Sequence, residues 1–133
     1  MNSPDAQPVP VSEAQIAALV RVFYASARAH PDLGSLFESA VTDWDGHLTI
    51  VENFWSHVLL RTGRYRGHPY AVHVGLGIRR EHFEQWLALL RLAAGQTLPP
   101  EASAHVIARA EQMSHSFRAG LFPFDPPQRG PHP

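Results

Sequence analysis

The chain contains no cysteine. Disulfides, thiolate nucleophiles and thiolate metal ligands are therefore all excluded. A reducing cytoplasmic setting is compatible with this, and cytoplasmic is the expected location. There is no strong excess of either charge. The 133 residues carry a formal net charge of −1 with neutral histidine, whereas a nucleic-acid-binding protein ordinarily shows a basic surplus. No apolar run approaches the roughly 20 residues of a membrane-spanning helix. Met1 to Pro10 is polar and proline-containing, unlike a secretory signal. No segment alternates apolar and polar residues as a strand does, and none repeats. What is present is a chain that is 44% hydrophobic, too apolar for disorder. Its length suits one domain with a core and one pocket. Nine histidines are a notable excess and point towards ligation of a metal centre.

Residues 1–11 read as a flexible arm, 12–122 as the folded domain, and 123–133, with five prolines, as a disordered tail. Ser12 to Gln15 has the pattern of a capping box. The helix behind it carries Ile16, Leu19, Val20, Phe23, Tyr24 and Ala27 at helical spacing and should stop near His30-Pro31. Asp32 is then expected to cap a short turn, Leu33 to Phe37. A second long helix should run from near Asp43 to Leu60, with Leu48, Val51, Phe54, Trp55 and Val58 inward. His47 falls on that same stripe, in the first turn. Thr62 to Ile78 has four glycines and one proline and no period, so it reads as a loop or broken helix. A third helix, about Arg80 to Ala94, turns Phe83, Trp86, Leu87 and Leu90 inward, with Gly95 as its expected terminator. A fourth starts at Pro99 or Pro100 and ends near Gly120. The chain reads as all-α.

The irregular segment from Arg64 to His73 contains no acid, but has two arginines and two histidines. Taken alone it fits a solvated loop. Taken alone, His47 fits a hydrogen-bonded boundary histidine, Tyr24 a core tyrosine with its hydroxyl at an edge, and Trp86 plain core. Their combination carries more. Buried polar groups cost free energy without a partner, and several on inward faces point to one that the chain does not itself contain.

The combination resembles the third group of the truncated haemoglobins. The matching residues are Phe23-Tyr24, Asp32-Leu33-Gly34 with Phe37, Asp43-Trp44 with His47, Asn53-Phe54-Trp55, and Leu59-Leu60 through Thr62-Gly63. They continue with Tyr65, Gly67, Pro69, His73, and His82-Phe83 with Trp86-Leu87. The glycine pairs of the first two groups are missing, as in the third. The resemblance covers about residues 13–121. It implies a truncated globin fold, a two-on-two helical sandwich around haem b, with His73 as the ligand to the iron. On the opposite face it implies Tyr24, His47 and Trp86 acting on a bound small ligand. Phe23, Phe37, Phe54 and Trp55 would wall the pocket, and Tyr65, Arg66 and His68 would meet the haem edge.

Such a protein is expected to bind dioxygen and related ligands: nitric oxide, carbon monoxide or peroxide. Donors aimed at a partly charged ligand slow its release, which suits storage, sensing or nitric oxide and reactive-oxygen chemistry better than bulk delivery. No acid lies close in sequence to His73, so a strongly basic proximal imidazole and peroxidase-like push are not expected. Nitric oxide dioxygenation or weak peroxidase turnover would need electrons. With no flavin or nicotinamide motif in the chain, a separate reductase is implied. The chain is expected to be a monomer or weak dimer, with no nucleic-acid or membrane partner. A haem-free helical metal-binding or interaction protein is the alternative. The histidines, however, have neither the Glu-x-x-His pairs of a di-iron bundle nor a zinc spacing.

Overall fold

The computed structural model describes residues 8–67 and 77–122, which hold five α-helices and no strand. They are α1 (Glu13–Ala29), α2 (Pro31–Ala40), α3 (Trp44–Leu60), α4 (Arg80–Thr97) and α5 (Pro100–Leu121). The all-α expectation holds. α1 packs on α2, α3 and α4, while α5 packs on α3 and α4. The expected tail, 123–133, lies outside the described residues.

The capping box forms as its sequence predicts. The Ser12 hydroxyl accepts from the Gln15 amide at 3.1 Å, and the Gln15 side chain accepts from the Ser12 amide at 2.9 Å. Upstream of it, inside the segment expected to be an arm, Val9 is buried and donates its amide to the Leu59 carbonyl at 2.8 Å. Ordered packing thus begins before α1.

Two helix ends differ from expectation. Asp32 does not cap a short turn. His30 is the N-cap, its Nδ1 accepting from the Asp32 and Leu33 amides at 3.1 and 3.3 Å. Pro31 lacks an amide hydrogen and is preset for the first helical position, so a ten-residue helix starts directly behind α1. Asp32 sits in its first turn and instead accepts from the Gln85 amide on α4 at 2.9 Å. Nor does Gly95 end α4, which continues to Thr97. A helical glycine costs about 1 kcal/mol against alanine, and the burial of Ala93, Ala94 and then Leu98 outweighs that.

The core is built on α1: Ile16, Leu19, Val20, Phe23 and Ala27. Trp55 and Leu59 meet them from α3, Leu90, Ala93 and Ala94 from α4, and Ala102, Val106 and Ala110 from α5. The small residues bring helix backbones close. Gly34 brings α2 closer still: a Cβ there would lie 2.5 Å from the Arg28 carbonyl oxygen.

Candidate functional site

A cavity of about 390 Å³ lies among the helices, within the range of small-molecule and cofactor sites. α1 lines it with Leu19, Val20, Phe23 and Tyr24, and α2 with Leu33, Leu36, Phe37 and Ala40. α3 supplies His47, Ile50, Val51, Phe54 and Trp55, and α4 supplies His82, Phe83, Trp86 and Leu90. Met113, Ser114 and Phe117 of α5, with Val41, Tyr65 and Ile78, complete the wall. Ile50 lines the cavity and is also 55% exposed, so the cavity meets solvent beside the first turns of α3.

Against this largely apolar wall stands a hydrogen-bonded polar pair. The Tyr24 hydroxyl and His47 Nε2 are 2.9 Å apart. Burial of Tyr24 raises its pKa well above the ordinary phenol value, so it stays a neutral O–H at any physiological pH. Which partner donates depends on the histidine tautomer. If His47 carries its proton on Nε2 it donates to the tyrosine oxygen, and the tyrosine O–H is then free to turn into the cavity.

Local sequence positions the pair. Asp43 caps α3, its Oδ1 accepting from the Gly46 amide at 3.1 Å. This fixes the start of the helix, so Trp44 and His47, three apart, share a face. Tyr24 is edge-on to Phe23, Phe37, Trp44 and His47, with ring centroids 4.8 to 5.7 Å away. Phe54 is edge-on to Trp55 and Tyr65, at 5.0 and 5.1 Å.

Eight of the residues singled out from sequence line this one cavity: Phe23, Tyr24, Phe37, His47, Phe54, Trp55, Tyr65 and Trp86. Arg66 does not line it and is exposed. Its neighbour Arg64 is tied elsewhere, to the Glu13 carboxylate and the Ser56 hydroxyl. Ser56 also bonds Glu13 and Thr62, both at 3.2 Å. That network fastens the chain after α3 to the start of α1. His68 and His73 lie outside the described residues. Among the described residues no three histidines or carboxylates are grouped to hold a metal ion, and no helix is long and apolar enough to cross a membrane.

Two polar lining residues were not assigned a site role from sequence. Ser114 is buried on α5, and its place between Ala110 and Phe117 on the apolar stripe was the available signal. His82 is buried in the first turn of α4. Its Nδ1 accepts from the Arg79 amide at 2.9 Å, so in the neutral ring the proton sits on Nε2.

The fold and its internal cavity define a truncated globin. In structure the chain matches a crystal structure of a group III truncated haemoglobin from Campylobacter jejuni with a TM-score of 0.81, at 28% identity, covering 91% of this chain and 99% of that one. In sequence it is 29% identical over 119 residues to the group 3 truncated haemoglobin ctb of the same organism, over 86% of this chain and 94% of the relative. No protein-family model matches the chain. In fold and in sequence the chain is similar to the group III truncated haemoglobins.

Proposed function

We propose that the cavity holds haem b and that the protein binds dioxygen and related small ligands on it. The observation that carries this reading is the Tyr24–His47 hydrogen bond inside a largely apolar cavity. A cavity lined by leucine, valine and phenylalanine fits a flat apolar macrocycle. A polar pair within it fits a ligand that gains partial negative charge on binding. When bound, haem supplies an iron centre with one face open to a diatomic ligand.

The chain's own residues do the rest. His73, in the segment outside the described residues, is the proposed ligand to the iron. Leu19, Val51, Phe54 and Leu90 exclude water, which strengthens any hydrogen bond made inside. Tyr24 presents a neutral O–H and Trp86 an indole N–H, which is a donor only. His47 Nε2 orients the Tyr24 hydroxyl. A hydrogen bond to a charged acceptor is worth about 1.5–3 kcal/mol, or about ten- to a hundredfold in ligand retention. Slow release favours storage, sensing or nitric oxide and reactive-oxygen chemistry over delivery. Any turnover draws its electrons from a separate reductase, since the chain has no nicotinamide or flavin motif.

The test is spectroscopic. Purified protein reconstituted with haem is expected to show a Soret band that moves when carbon monoxide is added to the reduced form. His73→Ala should abolish or badly weaken haem retention, whereas His115→Ala, at an exposed position on α5, should not. Tyr24→Phe and Trp86→Phe should each speed dioxygen release about ten- to a hundredfold. Full haem retention by His73→Ala would overturn the ligand assignment. Unchanged release in both distal variants would overturn theirs.

A further inference from the structure

Trp44 stands just outside the cavity and has no role in that reading. It is the first residue of α3, half-buried, and not among the residues that line the cavity. Its ring nevertheless meets both members of the polar pair. The centroids lie 5.7 Å from Tyr24 and 5.7 Å from His47, with the planes near perpendicular at 69° and 85°. Phe37, a cavity wall, is 6.3 Å away. The Arg28 guanidinium sits over the indole, 4.1 Å from its centroid.

We propose that Trp44, held by Arg28, is the positioning residue of the Tyr24–His47 pair: it keeps the imidazole against the tyrosine hydroxyl and so sets the polarity that a bound ligand meets. The proposal rests on the reading that the cavity takes haem and a small ligand. Trp44 touches neither, so it acts through the pair. The geometry is suited to this. The Asp43 cap places Trp44 and His47 on one face of α3, while Tyr24 and Arg28, four apart on α1, share another. One indole therefore bridges the two helices that carry the pair. His47 lies one turn from exposed Ile50, where the cavity meets solvent. A displaced imidazole there would both break its bond to Tyr24 and widen access. An edge-to-face ring contact shifts a two-state equilibrium by about 2- to 10-fold. Loss of two should raise the displaced population about tenfold or more.

Four variants test this: Trp44→Leu, Trp44→Phe, Arg28→Gln and Glu38→Gln. Arg28 also pairs with Glu38 at 3.4 Å, both exposed, and Glu38→Gln removes that pair while leaving the cation over the ring. One readout is the iron–carbon and carbon–oxygen stretching bands of the carbon-monoxide form, which report polarity at the ligand. The other is the ¹⁵N shift of His47 Nε2 in labelled protein, which reports its hydrogen bond with or without haem. Trp44→Leu is expected to move the stretching bands towards a less polar pocket, shift the His47 resonance, and raise the carbon monoxide association rate about tenfold. Trp44→Phe should recover most of this, Arg28→Gln should show a smaller change in the same direction, and Glu38→Gln none. If Trp44→Leu folds and leaves both readouts at wild-type values, the proposal is wrong. If Trp44→Leu does not fold, Arg28→Gln decides by the same two readouts. If wild-type protein takes up no haem, the proposed function fails, and the His47 resonance still tests the positioning role by itself.

Discussion

His82 shows how one buried side chain ties stability to pH. Its pKa is lowered first by burial and then by the nearby Arg79 charge, with His30 adding to the effect and Glu81 and Asp32 opposing it. A histidine whose folded pKa lies below its unfolded value of about 6.5 binds fewer protons folded than unfolded. Its contribution to stability is complete above that unfolded value and is lost as pH falls through the depressed folded one. His82→Gln keeps an acceptor within reach of the Arg79 amide, as glutamine does in a capping box, but does not titrate. Chemical denaturation at pH 7 and pH 5 should show wild type losing more stability on acidification than this variant. Equal losses would remove His82 from the account. At this scale the sequence was informative about type and weak about partner. Tyr24, His47 and Trp86 stood out as polar groups on apolar faces, but the 2.9 Å contact between positions 24 and 47 joins two helices, and no spacing within either one encodes it. Arg66 is exposed and off the cavity wall. A basic loop residue has many surface destinations, and local sequence does not choose among them.

The helices were legible wherever a signal was local. Ser12 and Gln15 cap α1, α3 starts beside Asp43, and proline opens α5, all as the sequence indicates. Misjudgements arose where packing overrode a local rule. Gly95 reads as a stop, yet α4 continues because the residues around it are buried. Gly34 falls inside what reads as a short turn, Leu33 to Phe37, yet it is where α2 meets the end of α1. Gly34→Ala sets two effects against each other. Helix propensity favours alanine by about 1 kcal/mol. The added Cβ would meet a backbone oxygen at 2.5 Å, which no rotamer relieves, and overpacking of this kind costs about 1–3 kcal/mol. The clash should win, and the urea midpoint should fall. A rise would mean that α2 can lift off α1 without loss. Asp43→Ala removes the cap that sets Trp44 and His47 in register and should cost about 1 kcal/mol, with a matching loosening of the Tyr24–His47 bond in the ¹⁵N spectrum.

For the whole molecule, the cavity is the dominant fact. A space of about 390 Å³ forgoes the dispersion contacts that close packing would supply, so the folded chain without an occupant is less stable than its core suggests. An occupant that binds only the folded form stabilises it by mass action, about 2.7 kcal/mol at a hundredfold excess over Kd. In a domain of this length that corresponds to a rise of about 10 °C in Tm. Calorimetry of haem-free protein titrated with haem is expected to show it, and a Tm indifferent to haem would count against the cavity as its site. Val9 belongs to this scale too. It is buried against residues some fifty positions away in sequence, bonded to Leu59, and composition alone made its segment look like a free arm.

The sequence by itself determined the class of the fold and named the candidates for the site. Helical periodicity, caps and prolines are short-range signals, and the order of Tyr24, His47, His73 and Trp86 with its flanking aromatics was specific enough to resemble one family. Only the tertiary structure decided which of those residues meet. It brought Tyr24 to His47, placed Trp44 behind both under Arg28, committed Arg64 to Glu13 and Ser56, and added His82 and Ser114 to the cavity wall. The physical reason is that a helix face is fixed by neighbours three and four residues away, whereas a cavity is fixed by which faces meet, and that depends on close packing across five helices at once.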